Sequence, residues 1–64
     1  MPDINIENHG SIVLFLALSA QARDWMNMHL PPEVPVFGGA YAVEAGYAPA
    51  IAEGASSDGL VIAS

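Results

Sequence analysis

The chain has no cysteine and no lysine, and Arg23 is its only strongly basic side chain. The first absence removes disulfides and cysteine-based zinc sites as sources of stability. The second weighs against nucleic acid and anionic membranes as partners, because affinity for phosphate comes largely from Lys and Arg displacing counterions. Long apolar runs are also missing. The longest, Ile12 to Leu18, is far short of the roughly 20 residues that span a bilayer. What is present in excess is negative charge: Asp3, Glu7, Asp24, Glu33, Glu44, Glu53 and Asp58 set the formal net charge at −6. A basic protein surface is the natural electrostatic partner, and acidity that serves only solubility is the plain alternative. The carboxylates are scattered singly rather than at phosphate-like spacing, so mimicry of a nucleic-acid backbone is the weaker reading.

A 64-residue chain makes a single small domain, residues 1–64. Such a domain buries only about 60% of the surface its unfolded chain exposes. With disulfides excluded, oligomerisation is the ordinary supplement to so small a core. At 53% hydrophobic and 12% charged residues, the chain is too apolar to be a disordered tail.

The stretch Ser11 to Ala22 can be read as a secretory signal with small residues Ala20 and Ala22 at a cleavage site, or as a buried strand entering a helix. A signal needs a basic n-region, whereas Met1 to Gly10 carries Asp3 and Glu7 and no basic side chain. The strand reading explains more residues and leads to the expectation of an uncleaved, cytoplasmic protein. Asp3 to Glu7 alternates polar and apolar, the period of a half-buried strand, and Asn8-His9-Gly10 reads as a hairpin turn. Ile12 to Leu18 is then a second strand, apolar on both faces, which belongs in the middle of a sheet.

Further along, Ser19 suits an N-cap, and Ala22, Trp25, Met26 and Leu30 recur at helical spacing until Pro31 and Pro32 end the helix. Val34 to Gly39 reads as a loop or a short edge strand, because Pro35 cannot donate to a ladder. Ala40 to Ala45 alternates as a strand. Pro49 opens a second helix, Ala48 to Ser57, with Ile51, Ala52 and Ala55 inward. Asp58-Gly59 turns the chain into a last short strand, Leu60 to Ala63. The order β-β-α-β-α-β predicts an α+β fold: a small mixed sheet of about four strands with two helices on one face.

The segments "NHGSIV" (Asn8 to Val13), "ARDW" (Ala22 to Trp25) and "FGGAYAVEAGYAPAIAEGASSDGL" (Phe37 to Leu60) resemble a family of short, uncharacterised proteins encoded by bacteria, phages and other mobile elements. Its most specific parts are the Asn-His-Gly-Ser turn and the Val-Glu-x-x-Tyr segment at Val43, Glu44 and Tyr47. Where family members tend to carry a basic residue just before that tyrosine, this chain has Gly46. The resemblance implies the fold and an intracellular setting, and it brings no activity.

Candidate binding residues are Asn8, His9 and Ser11, as hydrogen-bonding groups of a hairpin loop, together with Glu44 and Tyr47. Each also has an ordinary explanation: His9 as a polar turn residue, Glu44 as a solubilising edge charge, Tyr47 as a rim aromatic. No spacing makes His9, His29 and Glu33 converge on a metal. Ser11, His9 and Asp58 come with no nucleophile motif. Neither catalysis nor a cofactor is expected.

Two functional classes follow. One is a small acidic interaction module, an inhibitor or adaptor that binds a basic protein surface. The other is a structural accessory protein that acts only as an oligomer. In either case the two-sided apolar strand leaves one sheet face, carrying Phe15 or the opposite set Leu14 and Leu16, without a helix. That face is expected to pack against a second copy in a homodimer or against a partner protein, unless the Val34 to Gly39 segment folds over it as a lid.

Overall fold

Gly10 carries the first local instruction that the sheet depends on. In the computed structural model, which describes residues 1–63, β1 (Ile4–His9) and β2 (Ile12–Ala17) pair antiparallel with His9 opposite Ile12. Gly10 and Ser11 are the two loop residues, and Gly10 has φ +82°. A glycine at positive φ in the first loop position is the type II′ arrangement, whose twist matches that of the strands. The turn is therefore shorter than the Asn8-His9-Gly10 triplet expected from sequence. Asn8 and His9 are the last residues of β1, and the Asn8 side chain accepts the Gly10 N–H at 2.9 Å.

Helix α1 (Ala20–His29) starts at Ser19, whose extended backbone and Oγ, accepting the Ala22 N–H at 3.1 Å, form an N-cap. It stops at Leu30, which takes ψ 145° because a residue before proline is pushed out of the helical region. Helix α2 (Ala48–Ser57) carries a proline in its first turn and closes in a Schellman motif. Gly59, at φ +92°, donates to the Ser56 C=O at 3.1 Å, and the buried Leu60 donates to the Ala55 C=O at 3.0 Å.

The strand count exceeds expectation by one. Gly38 and Gly39 both have positive φ, 56° and 85°, the type I′ signature. They fold β3 (Val36–Phe37) back onto β4 (Ala40–Glu44), with Phe37 opposite Ala40. The segment is thus an edge strand in the plane of the sheet and not a lid over it. Proline sets its length: Ala42 donates to the Pro35 C=O at 3.0 Å, but Pro35 has no N–H to return, and β3 begins only at Val36.

With β5 (Ile62–Ala63) beside β1, the sheet order is β3-β4-β2-β1-β5. The α+β class with both helices on one face is as expected. The chain is a β-β-α unit used twice, closed by a strand. Crossovers β2-α1-β3 and β4-α2-β5 leave antiparallel strands and travel in opposite directions along the sheet. Two such crossovers of equal hand place their helices on the same face.

Between helices and sheet lie Ile4, Val13, Phe15, Ala17, Tyr41 and Val43 from the strands and Ala22, Met26, Ala48 and Ala55 from the helices. Tyr41, though buried, donates a hydrogen bond from its hydroxyl to Asn27 Oδ1 at 2.9 Å, so the polar tip is satisfied. Trp25 is half-buried against α2 and donates its Nε1–H to Asp58 at 2.7 Å.

The last strand is tied by Asp3. Its carboxylate accepts the Val61 N–H at 2.9 Å, while its own N–H donates to the Val61 C=O at 2.8 Å. The Val61 amide holds the Asp3 carboxyl below the usual carboxylate range, and the Ser19 hydroxyl acts in the same direction. A carboxyl whose pKa is depressed on folding adds stability above its unfolded value, about 3.9 for aspartate, and that contribution is lost as pH falls through the folded value. The melting temperature is expected to fall below about pH 4, with a smaller fall in Asp3→Asn over the same range. Identical pH profiles for the two proteins would overturn this role.

Candidate interaction surface

The alternation of each strand sorts its side chains between the two faces. Cross-strand partners point the same way, so the pairs Ile6 with Phe15, Phe15 with Tyr41, and Val13 with Val43 define the helix side. The opposite side carries three rows: His9–Ile12–Glu44, Glu7–Leu14–Ala42, and Asn5–Leu16–Ala40, the last extended by Phe37. Among the described residues, no helix lies on this side. Phe15 is fully buried beneath the helices, whereas Phe37 is 68% exposed and Ile12 is 37% exposed. Of the two sets the sequence left open, Leu14 and Leu16 face outward and Phe15 faces in.

The outward face is an apolar stripe, Ile12, Leu14, Leu16, Ala40, Ala42 and Phe37, bounded by a polar margin. Asn5, Glu7 and His9 run along β1, and Glu44 stands at the corner of β4. His9 Nε2 lies 3.2 Å from Glu7 Oε1, both side chains being about half exposed. This pair is screened by solvent and adds little to stability.

The structure gathers the five sequence candidates at the hairpin end of the sheet, although not on one face. His9 and Glu44 flank Ile12 on the open side, and Asn8 projects toward the other side and folds back on Gly10. Ser11 contributes through its backbone, its C=O accepting the Ala45 N–H at 2.9 Å. Tyr47, the residue before α2, donates its N–H to the Glu44 C=O at 2.9 Å and is 66% exposed. Glu44 is exposed and makes no side-chain bond to Tyr47. His29 stacks on Trp25 at 4.2 Å between ring centroids and lies 3.9 Å from Asp58. It is thus engaged away from His9, and among the described residues no three His, Asp or Glu side chains are grouped to hold a metal.

A groove of about 630 Å³ opens where β3 ends. Past Pro35, no strand among the described residues lies on the outer edge of β4, and the space is bordered by the C-terminus of α1, the 31–35 loop and the first turns of α2. Leu30, Val34, Val43 and Ile51 supply apolar wall, while Glu33 and Glu44 bring carboxylates to it. Ile12, Ala42 and Glu44 belong both to this groove and to the open sheet face, so the two surfaces are continuous. Sequence reasoning missed the groove because its walls come from segments up to about half the chain apart. The one local signal was the Pro35-x-x-Gly-Gly pattern that shortens β3.

No helix is long and apolar enough among the described residues to cross a membrane. Comparison with protein-family models, curated proteins and solved structures finds no match.

Proposed function

We propose that this chain is a small acidic protein-interaction module, an inhibitor or adaptor, that takes a basic amphipathic partner on the helix-free face of its sheet. The supporting observation is the stripe Ile12-Leu14-Leu16 with Ala40, Ala42 and Phe37, bare of any helix and flanked by Glu7 and Glu44. The stripe is exposed at Ile12 and Phe37 and half-buried at Leu14 and Leu16, and a contiguous apolar patch with a charged margin is the usual mark of an interaction site. Charge separates a partner from a second copy. In an isologous dimer the same carboxylates return, on two chains of net charge −6, with His9 the only basic group on the face among the described residues. A partner with alternating apolar and Lys or Arg residues covers the stripe and neutralises its margin.

The test is titration of the amide spectrum with a synthetic peptide of alternating leucine and lysine. Shifts are expected at Ile12, Leu14, Leu16 and Ala42, with affinity falling steeply from low to moderate salt as the Debye length shrinks below about 10 Å. Glu7→Gln is expected to weaken binding by roughly two- to fivefold, the worth of one exposed ion pair. Self-association in sedimentation that ignores salt, with no peptide shift on this face, would favour the oligomeric accessory protein instead.

A further inference from the structure

We infer that the groove beside the open edge of β4 is an anchor site for one amphipathic cation, namely an apolar side chain of the partner carried next to a lysine or arginine. The inference rests on the reading of the chain as a module for a basic partner and locates where that partner is gripped. At about 630 Å³ the groove falls within the roughly 300–1,000 Å³ typical of ligand pockets, enough for a large side chain with its neighbour. Its wall is apolar at Leu30, Val34, Val43 and Ile51. Among the described residues its only acidic groups are Glu33 and Glu44, and both are exposed and able to meet a cation.

His29, the one basic residue on the wall among the described residues, is stacked on Trp25 and lies beside Asp58. An anion would therefore meet two carboxylates, and a neutral apolar group would leave them unused. A cation with an apolar body satisfies both parts of the wall. Continuity gives the same answer. A segment lying on Ile12 and Ala42 reaches the groove by crossing the β4 edge at Glu44, where no strand blocks it.

Three small probes of matched shape test this: 2-phenylethylamine, 2-phenylethanol and 3-phenylpropanoate, followed by amide shifts of the intact chain. The amine is expected to shift Leu30, Val34, Val43, Glu44 and Ile51 and to bind at least threefold more tightly than the alcohol, with the acid silent. Glu33→Gln, which lies off the sheet face, is expected to reduce amine binding about two- to fivefold and to weaken the leucine–lysine peptide by a similar factor, while the separate loss caused by Glu7→Gln on the face is unchanged. Equal binding of all three probes, shifts outside the groove, or indifference to Glu33→Gln would overturn the site. Those results leave the peptide on the sheet face unaffected, so they fail separately from the module reading. Conversely, amine binding without any peptide binding would remove the partner and with it the anchor role.

Discussion

Phe15→Ala is expected to leave little folded protein at 25 °C, while Ile12→Thr, three positions earlier on the same strand, folds nearly as well as the parent. Phe15 lies in the central strand with no exposed surface, packed among Ile4, Met26, Ala22 and the α2 alanines. Removing a buried phenylalanine ring costs about 3–5 kcal/mol. A domain of this size holds roughly 3–10 kcal/mol in total, so one truncation consumes most or all of it. Ile12 points to the open face, where threonine keeps the β-branch and loses little burial. Its cost should be under about 1 kcal/mol. Urea unfolding followed by Trp25 fluorescence and far-UV circular dichroism measures both. If Phe15→Ala proves too unstable to handle, Phe15→Leu, a smaller truncation at the same buried position costing about 1–3 kcal/mol, preserves the contrast. Equal losses for the Phe15 and Ile12 variants would show that the faces are assigned wrongly.

A pair of adjacent positions on α2 is expected to respond in opposite directions. Gly54 costs the helix about 0.8–1 kcal/mol relative to alanine, and its backbone lies at ordinary φ. A Cβ placed there would lie 3.5 Å from Trp25 Cζ2, which is van der Waals contact rather than a clash. Gly54→Ala should therefore raise the melting temperature by roughly 4–8 °C per kcal/mol gained. Ala55, one residue on, has no exposed surface and also supplies the carbonyl that accepts the Leu60 N–H. Ala55→Leu forces extra carbons into a close-packed layer and is expected to destabilise by about 1–3 kcal/mol. Thermal melts of the two variants settle it. Stabilisation by Ala55→Leu would mean that α2 does not sit as tightly on the sheet as described.

The strand read at Ile12 to Leu18, which ends one residue earlier at Ala17, the Ser19 cap, the proline stop after Leu30 and the Pro49 start were all legible, because each depends on neighbours within a few positions. The turn at Gly10 was legible as a turn, but its length was not. A II′ loop differs from a longer one only by which residues pair, and that is decided when β1 and β2 meet. Likewise Gly38-Gly39 announced a bend, while Pro35 argued against a strand. Only the pairing of Phe37 with Ala40 shows that the proline lies just outside the ladder, where its missing N–H does no harm to β3.

By itself, then, the sequence determined composition, charge and local geometry. It specified an acidic chain without disulfides, two helices with their caps, glycines where φ is positive, and a strand too apolar for either face to be left in water unattended. Tertiary structure decided which face that would be. A period-2 pattern apolar on both sides carries no direction, since rotating the strand by one residue exchanges Leu14 and Leu16 with Phe15 at no local cost. The choice was made by what the helices bring: Met26, Ala22 and Ala55 leave room for an aromatic ring and cover it. The shorter aliphatic set was left outside, beside Glu7 and Glu44. The groove arose in the same way, from the meeting of a helix end, a proline loop and an unpaired strand edge that are adjacent only in the folded chain.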